Sequence, residues 1–206
     1  MTEIALPYFL SRPAAEPPWP GIVVIHEGNG ITAQLLRVCQ RLSGAGYAAV
    51  APDLFFRVGG TMAGDFATLM GSVGRAQAHR DLEDAASVLS GLGASSVGVT
   101  GFCMGGLLTY RSAVESETFA AAVGFYGAGI AKELGTPKCP TLLFFGGQDP
   151  WVPAADVEAV RAHHPLTIVY PEATHGFMRD GTDSYDEPSA TDAWARTLQF
   201  FGEHLK

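Results

Sequence analysis

Cysteine is scarce in this chain. Cys39, Cys103 and Cys139 are the three among 206 residues. They are too few and too widely spaced for a disulfide framework, and they lack the paired spacing of a zinc site. Reduced thiols and a cytoplasmic location are the expectation. Met1 to Pro20 holds no apolar run long enough for a signal peptide or a membrane span, so no membrane partner is expected. Internal repeats and low-complexity linkers are missing too, and one domain over residues 1–206 is expected. Positive charge is in deficit: Lys and Arg number 13 against 21 Asp and Glu, a formal net charge of −8. That argues against nucleic acid or an anionic membrane as partner, because phosphate would be repelled. An anionic substrate would need a local cationic pocket. Charged residues reach only 17% while hydrophobic ones make up 47%, which argues against a disordered tail and supplies one sizeable core.

Glycine is plentiful, at 25 residues, as a fold with many tight turns requires. Gly21 to Ile25 is a short continuous apolar run, the pattern of a strand covered on both faces. An amphipathic helix follows over Gln34 to Leu42, then a strand over Tyr47 to Ala51 that Pro52-Asp53 breaks. Val58 to Gly74 is glycine-rich and weakly periodic, and reads as loop or short helical turns. Ala78 to Leu89 is a helix with Leu82, Ala85, Ala86 and Leu89 on one face. Strands are expected at Val97 to Thr100, Ala120 to Phe125, Thr141 to Phe145 and Leu166 to Tyr170. Helices are expected at Met104 to Val114, Ala154 to His163 and Ala190 to Leu205. Alternation of this kind predicts a mostly parallel, doubly wound α/β sheet. Ligands on such a sheet bind at the carboxyl ends of its strands.

One strand-to-helix junction reads Gly101-Phe102-Cys103-Met104-Gly105-Gly106. Glycines two positions either side of Cys103 let strand and helix approach closely, so that the turn exposes the cysteine at a helix N-terminus. There the dipole favours a thiolate, and free backbone N–H groups can face an oxyanion. A buried, inert cysteine in a glycine-rich turn is the alternative. Such an elbow calls for an acid and then a histidine further along the chain. Asp149 follows the strand Thr141 to Phe145, and His175 follows the strand Leu166 to Tyr170. Alone, Asp149 could be a turn former before Pro150 and His175 a surface histidine. In this order, each past a predicted strand, the three read as a nucleophile–base–acid triad. His26 lies beside the first strand, His79 and His204 fall on helices, and His163 and His164 read as a helix cap. Cys39 and Cys139 read as packing residues.

The segments His26-Glu27-Gly28, Pro52-Asp53-Leu54-Phe55-Phe56-Arg57, the cysteine elbow, Gly124-Phe125-Tyr126-Gly127, Gly147-Gln148-Asp149 and His175-Gly176-Phe177 together resemble the dienelactone hydrolase family. The likeness runs from about Gly21 to the last helix. It implies an α/β-hydrolase fold and a triad of Cys103, Asp149 and His175. It implies that Glu27 interacts with the resting thiol and is displaced when substrate arrives. The backbone N–H groups of Gly28 and Met104 are then the oxyanion hole. The resemblance further implies that Arg57 and Arg179 hold a substrate carboxylate, as guanidinium groups do well, with a surface ion pair as the alternative for each. Tyr126 lines the pocket or belongs to the core. Gly28 stands where a bulkier residue is usual, and the Val58 to Gly74 segment does not match the family.

The expected activity is hydrolysis of a lactone or small activated ester by way of a thioester, with no metal and no organic cofactor. The expected partner is that small molecule, and the chain is expected as a monomer or homodimer. A broad carboxylesterase or thioesterase is the near alternative. A redox-sensing cysteine protein and a non-catalytic binding protein on the same scaffold are more distant ones.

Overall fold

The computed structural model describes residues 6–60 and 66–206. Seven strands form one sheet in the order β1-β3-β2-β4-β5-β6-β7. They are β1 (Tyr8–Ser11), β2 (Trp19–Ile25), β3 (Ala48–Pro52), β4 (Ala94–Phe102), β5 (Ala121–Phe125), β6 (Thr141–Gly146) and β7 (Thr167–Tyr170). Every pairing is parallel except β1 with β3, where Tyr8 faces Pro52 and Ser11 faces Ala49. The expected mostly parallel α/β sheet is present, with one antiparallel edge strand added. The long middle strands carry near-continuous Val, Ile and Ala because helices cover both faces.

The helices are α1 (Ala33–Gly44), α2 (Phe66–Ser72), α3 (Arg75–Gly91), α4 (Met104–Glu115), α5 (Ala154–His163) and α6 (Glu187–His204). On one face α1 and α6 pack through Leu35, Leu42, Ala193 and Phe201 against Val24, Val123 and Phe144. On the other, α3 and α4 bring Leu82, Leu89 and Leu108 onto Val23, Val50 and Val99. Helix α5 covers β6 through Val157 and Val160. Burying each such side chain stabilises the fold by roughly 1.5–3 kcal/mol before chain entropy is counted. Local signals set the helix starts. Thr32 caps α1 by accepting from the Leu35 N–H at 3.3 Å, and Asp186 caps α6 by accepting from the Ser189 N–H at 3.1 Å.

The glycine-rich segment Val58 to Gly74 divides. Residues 66–72 form α2, while residues 61–65 lie outside those described. Among the described residues, no helix is long and apolar enough to cross a membrane.

Candidate active site

Cys103 sits between the last residue of β4 and the first of α4, with φ 54° and ψ −114°. A positive φ is strained for a residue with a side chain and is held only where the surroundings insist on it. Here they do. The Cys103 N–H donates to Phe125 O at 3.0 Å. Around it the chain is too tight for Cβ atoms: one added at Gly101 would lie 2.3 Å from Gly105 O, and one at Gly105 2.4 Å from Ile25 O. The glycines flanking the elbow are therefore a steric requirement. Phe125 stacks between Phe102 and Phe144, with centroids at 4.8 and 4.9 Å, and gives the turn a rigid floor.

Asp149 and His175 meet because the loops leaving β6 and β7 touch. A Cβ at Gly146 would come within 2.4 Å of Ala173 O. One Asp149 oxygen, Oδ1, accepts from the N–H groups of Trp151 (2.8 Å) and Val152 (3.2 Å). That frees Oδ2 to bind His175 Nδ1 at 2.8 Å. Both side chains are buried. Burial works against the imidazolium, but hydrogen bonds to Asp149 and to the Cys103 sulfur outweigh it and push His175 up to about 9. The imidazole thus bonds the Asp149 carboxylate through Nδ1 and borders the same cavity as Cys103. Tyr126 supports it edge-on, with its ring centroid 4.9 Å away.

Glu27 ends the β2 loop and is buried. Its Oε1 accepts from the Tyr126 hydroxyl at 3.0 Å, and its Oε2 from Arg179 Nε at 2.5 Å. Tyr126 is fully buried and has a positive φ of 38°. Burial and the neighbouring Glu27 raise its phenol well above its ordinary value, so it stays a donor. Of the two readings open for Tyr126, the structure places it in the core behind the site, with its hydroxyl reaching Glu27.

A cavity of about 300 Å³ opens over this constellation, lined by Gly28, Asn29, Cys103, Trp151, His175 and Arg179. Trp151 stands 66% exposed at its rim. Gly28 borders the cavity, and Met104 is the first residue of α4, where a helix leaves its N–H groups without internal partners. Arg57 was expected beside Arg179. The structure does not bring it to this cavity: Arg57 forms a two-bond pair with Asp81 of α3, at 2.7 and 2.8 Å, and borders a separate small cleft with Leu54, Val58 and Gln77. The buried Asp81 carboxylate needs a cation, and Arg57 supplies it.

Two residues lining the cavity, Asn29 and Trp151, are not singled out by the sequence. Trp151 gave no signal beyond its place two residues after Asp149. His26, which the sequence places only beside the first strand, is fully buried and bonds two backbone groups. Among the described residues, no group of three or more His, Cys, Asp or Glu side chains is placed to hold a metal ion.

The model of the dienelactone hydrolase family matches residues 6–205. A Salmonella typhimurium protein named "Putative carboxymethylenebutenolidase" is 34% identical, over 97% of this chain and 83% of its own. The carboxymethylenebutenolidase of Pseudomonas putida is 32% identical, over 90% of this chain and 86% of its own. A crystal structure from Klebsiella pneumoniae, described as a "Putative Dienelactone Hydrolase", superposes with a TM-score of 0.87 at 33% identity. It covers 96% of this chain and 93% of its own.

Proposed function

The chain belongs to the dienelactone hydrolase family, whose members are hydrolases of esters and lactones, and from that premise we propose that it opens a small carboxylate-bearing lactone or activated ester through a thioester on Cys103. One observation carries the reading: a buried His175–Asp149 pair at 2.8 Å on the cavity that Cys103 and Arg179 also line.

In the proposed cycle the strongly basic His175 holds the proton released from Cys103, as imidazolium, and the sulfur adds to the carbonyl carbon. The carbonyl oxygen becomes an oxyanion facing the N–H groups of Gly28 and Met104. Each such donor is typically worth about 10²–10³ in rate. The C–O bond to the leaving alkoxide then breaks, and His175 returns the proton to it. In a lactone that alkoxide remains tethered as the new hydroxyl. Water, deprotonated by His175, attacks the thioester and releases the carboxylate product and the thiol. Asp149 holds the imidazole in orientation and stabilises its charged form throughout.

Arg179 supplies the local cationic group that a chain of net charge −8 requires for an anionic substrate. Its partner at rest is Glu27. A substrate carboxylate competes for the same guanidinium, so binding and release of Glu27 are linked. With Arg57 committed to Asp81, this reading assigns the carboxylate to one arginine.

The test compares wild type with Cys103→Ala on a dienelactone and on p-nitrophenyl acetate. Loss of both activities, with wild type favouring the dienelactone in kcat/KM, is expected. Turnover by Cys103→Ala near the wild-type rate would remove the nucleophile from the proposal.

A further inference from the structure

His26 lies where β2 ends, directly before Glu27, and none of its surface is exposed. Its ring packs against Phe55 at 4.7 Å between centroids. Its two nitrogens make two backbone contacts: Nδ1 with Glu27 O at 2.7 Å, and Nε2 with the Leu54 N–H at 3.1 Å. These contacts fix its proton. A backbone N–H can only donate, so Nε2 must offer its lone pair. A carbonyl can only accept, so Nδ1 must carry the hydrogen. Burial, which lowers the basicity of His26, favours the same neutral ring.

The consequence lies in the next peptide. Glu27 O accepts from His26 Nδ1 and also from the Gly30 N–H at 3.0 Å. Two donors therefore hold that carbonyl on one side. In a planar trans peptide the N–H points opposite to the C=O, so the Gly28 N–H is turned away from His26. Gly28 borders the cavity with Cys103. Gly28-Asn29-Gly30 offers little resistance of its own to a flipped peptide, since glycine tolerates nearly every backbone conformation. We infer that His26 is a positioning residue: its Nδ1–H bond to Glu27 O pins the Glu27–Gly28 peptide so that the Gly28 N–H is presented to the oxyanion. This rests on the catalytic reading above. The Leu54 bond ties the same loop to the one leaving β3, so the ring is itself held from both ends.

Two chemistries at one sulfur test it. Acylation of Cys103 by p-nitrophenyl acetate passes through an oxyanion. Alkylation by iodoacetamide forms the S–C bond as iodide leaves a saturated carbon, with no oxyanion. His26→Asn keeps an amide donor near the Nδ1 position, whereas His26→Gln places its amide near Nε2. Removing the benefit of one oxyanion donor should slow acylation of His26→Gln about 10²–10³-fold, while its alkylation stays within about twofold and His26→Asn acylates within about tenfold of wild type. If alkylation of Cys103 leaves wild-type turnover intact, the nucleophile assignment falls and the oxyanion role of His26 falls with it. If wild type is inactivated as expected, three results overturn the positioning role alone. They are wild-type acylation by His26→Gln, an equal loss of acylation and alkylation, or an Asn variant no better than Gln.

Discussion

Arg57 grips Asp81 with both terminal guanidinium nitrogens, at 2.7 and 2.8 Å; the arginine side chain is 43% exposed and the aspartate 3%. The pair belongs to the seam between the β3 exit loop and α3. Gln77 donates to the same carboxylate at 2.9 Å. Arg57→Ala is therefore expected to act on stability. Leaving Asp81 short of its cation should cost about 1–3 kcal/mol, read as a lower urea midpoint with an unchanged slope. The ratio of KM values for carboxylate-bearing and neutral esters should stay where it is. A large change in that ratio would return Arg57 to substrate binding.

Arg179 should behave in the opposite way. Arg179→Ala removes a charge-assisted bond worth about 1.5–3 kcal/mol, so KM for a carboxylate-bearing lactone should rise roughly 10–100-fold. A neutral acetate ester should lose far less. Equal losses on both substrates would show that Arg179 acts through Glu27, its resting partner.

The His175 imidazolium, pushed up to about 9, sets an alkaline limb. Activity that needs this proton should decline as pH climbs through about 9, and kcat/KM against pH locates the step. Asp149→Asn withdraws a cause of the shift, so the limb should move toward the ordinary 6.5 and the rate should fall about 10²–10⁴-fold. The same titration affects folding. A value raised above 6.5 stabilises the folded chain fully below 6.5, and that contribution is lost as pH rises through about 9. Urea midpoints at pH 6 and pH 10 should differ in that direction, and less so in Asp149→Asn.

Gly105→Ala tests the elbow's sterics. Its Cβ would fall 2.4 Å from Ile25 O and 2.8 Å from His26 O, both backbone atoms without freedom to retreat. Destabilisation of about 1–3 kcal/mol or more is expected, with loss of esterase activity beyond what unfolding explains. Gly44→Ala, where no atom lies within 4 Å, is the control and should leave activity unchanged.

Much of this was readable in the chain because it depends on short-range pattern. Buried parallel strands are continuous apolar runs, and Cys103, Asp149 and His175 each sit just past one of them. Strand β1 was not readable: four residues on an antiparallel edge, Tyr8 to Ser11, are too few to show a period. Helix α2 falls within the segment read as loop or short helical turns, and glycine-rich flanks kept its bounds from view. Ion pairing was beyond reach for another reason. Asp81 lies 24 positions from Arg57, and helical spacing says which face a residue occupies, not which cation meets it. His26 failed on the same ground, since its partners are main-chain atoms of Glu27 and Leu54, which side-chain motifs do not encode.

The strand that delivers His175 is the outermost of the sheet, three places from the strand that carries Cys103. The base thus reaches the site from an edge strand, and the nucleophile from the centre of the sheet. Chain entropy weighs on the centre instead: the β2–β4 pairing beside the elbow joins Gly21 to Val97, whereas β6 and β7 join Leu143 to Thr167 across a far shorter stretch, so the central pairing is the slower to close. Turnover regained on dilution from denaturant should consequently trail the recovery of overall secondary structure, and serve as a clock for the closure of that central pairing.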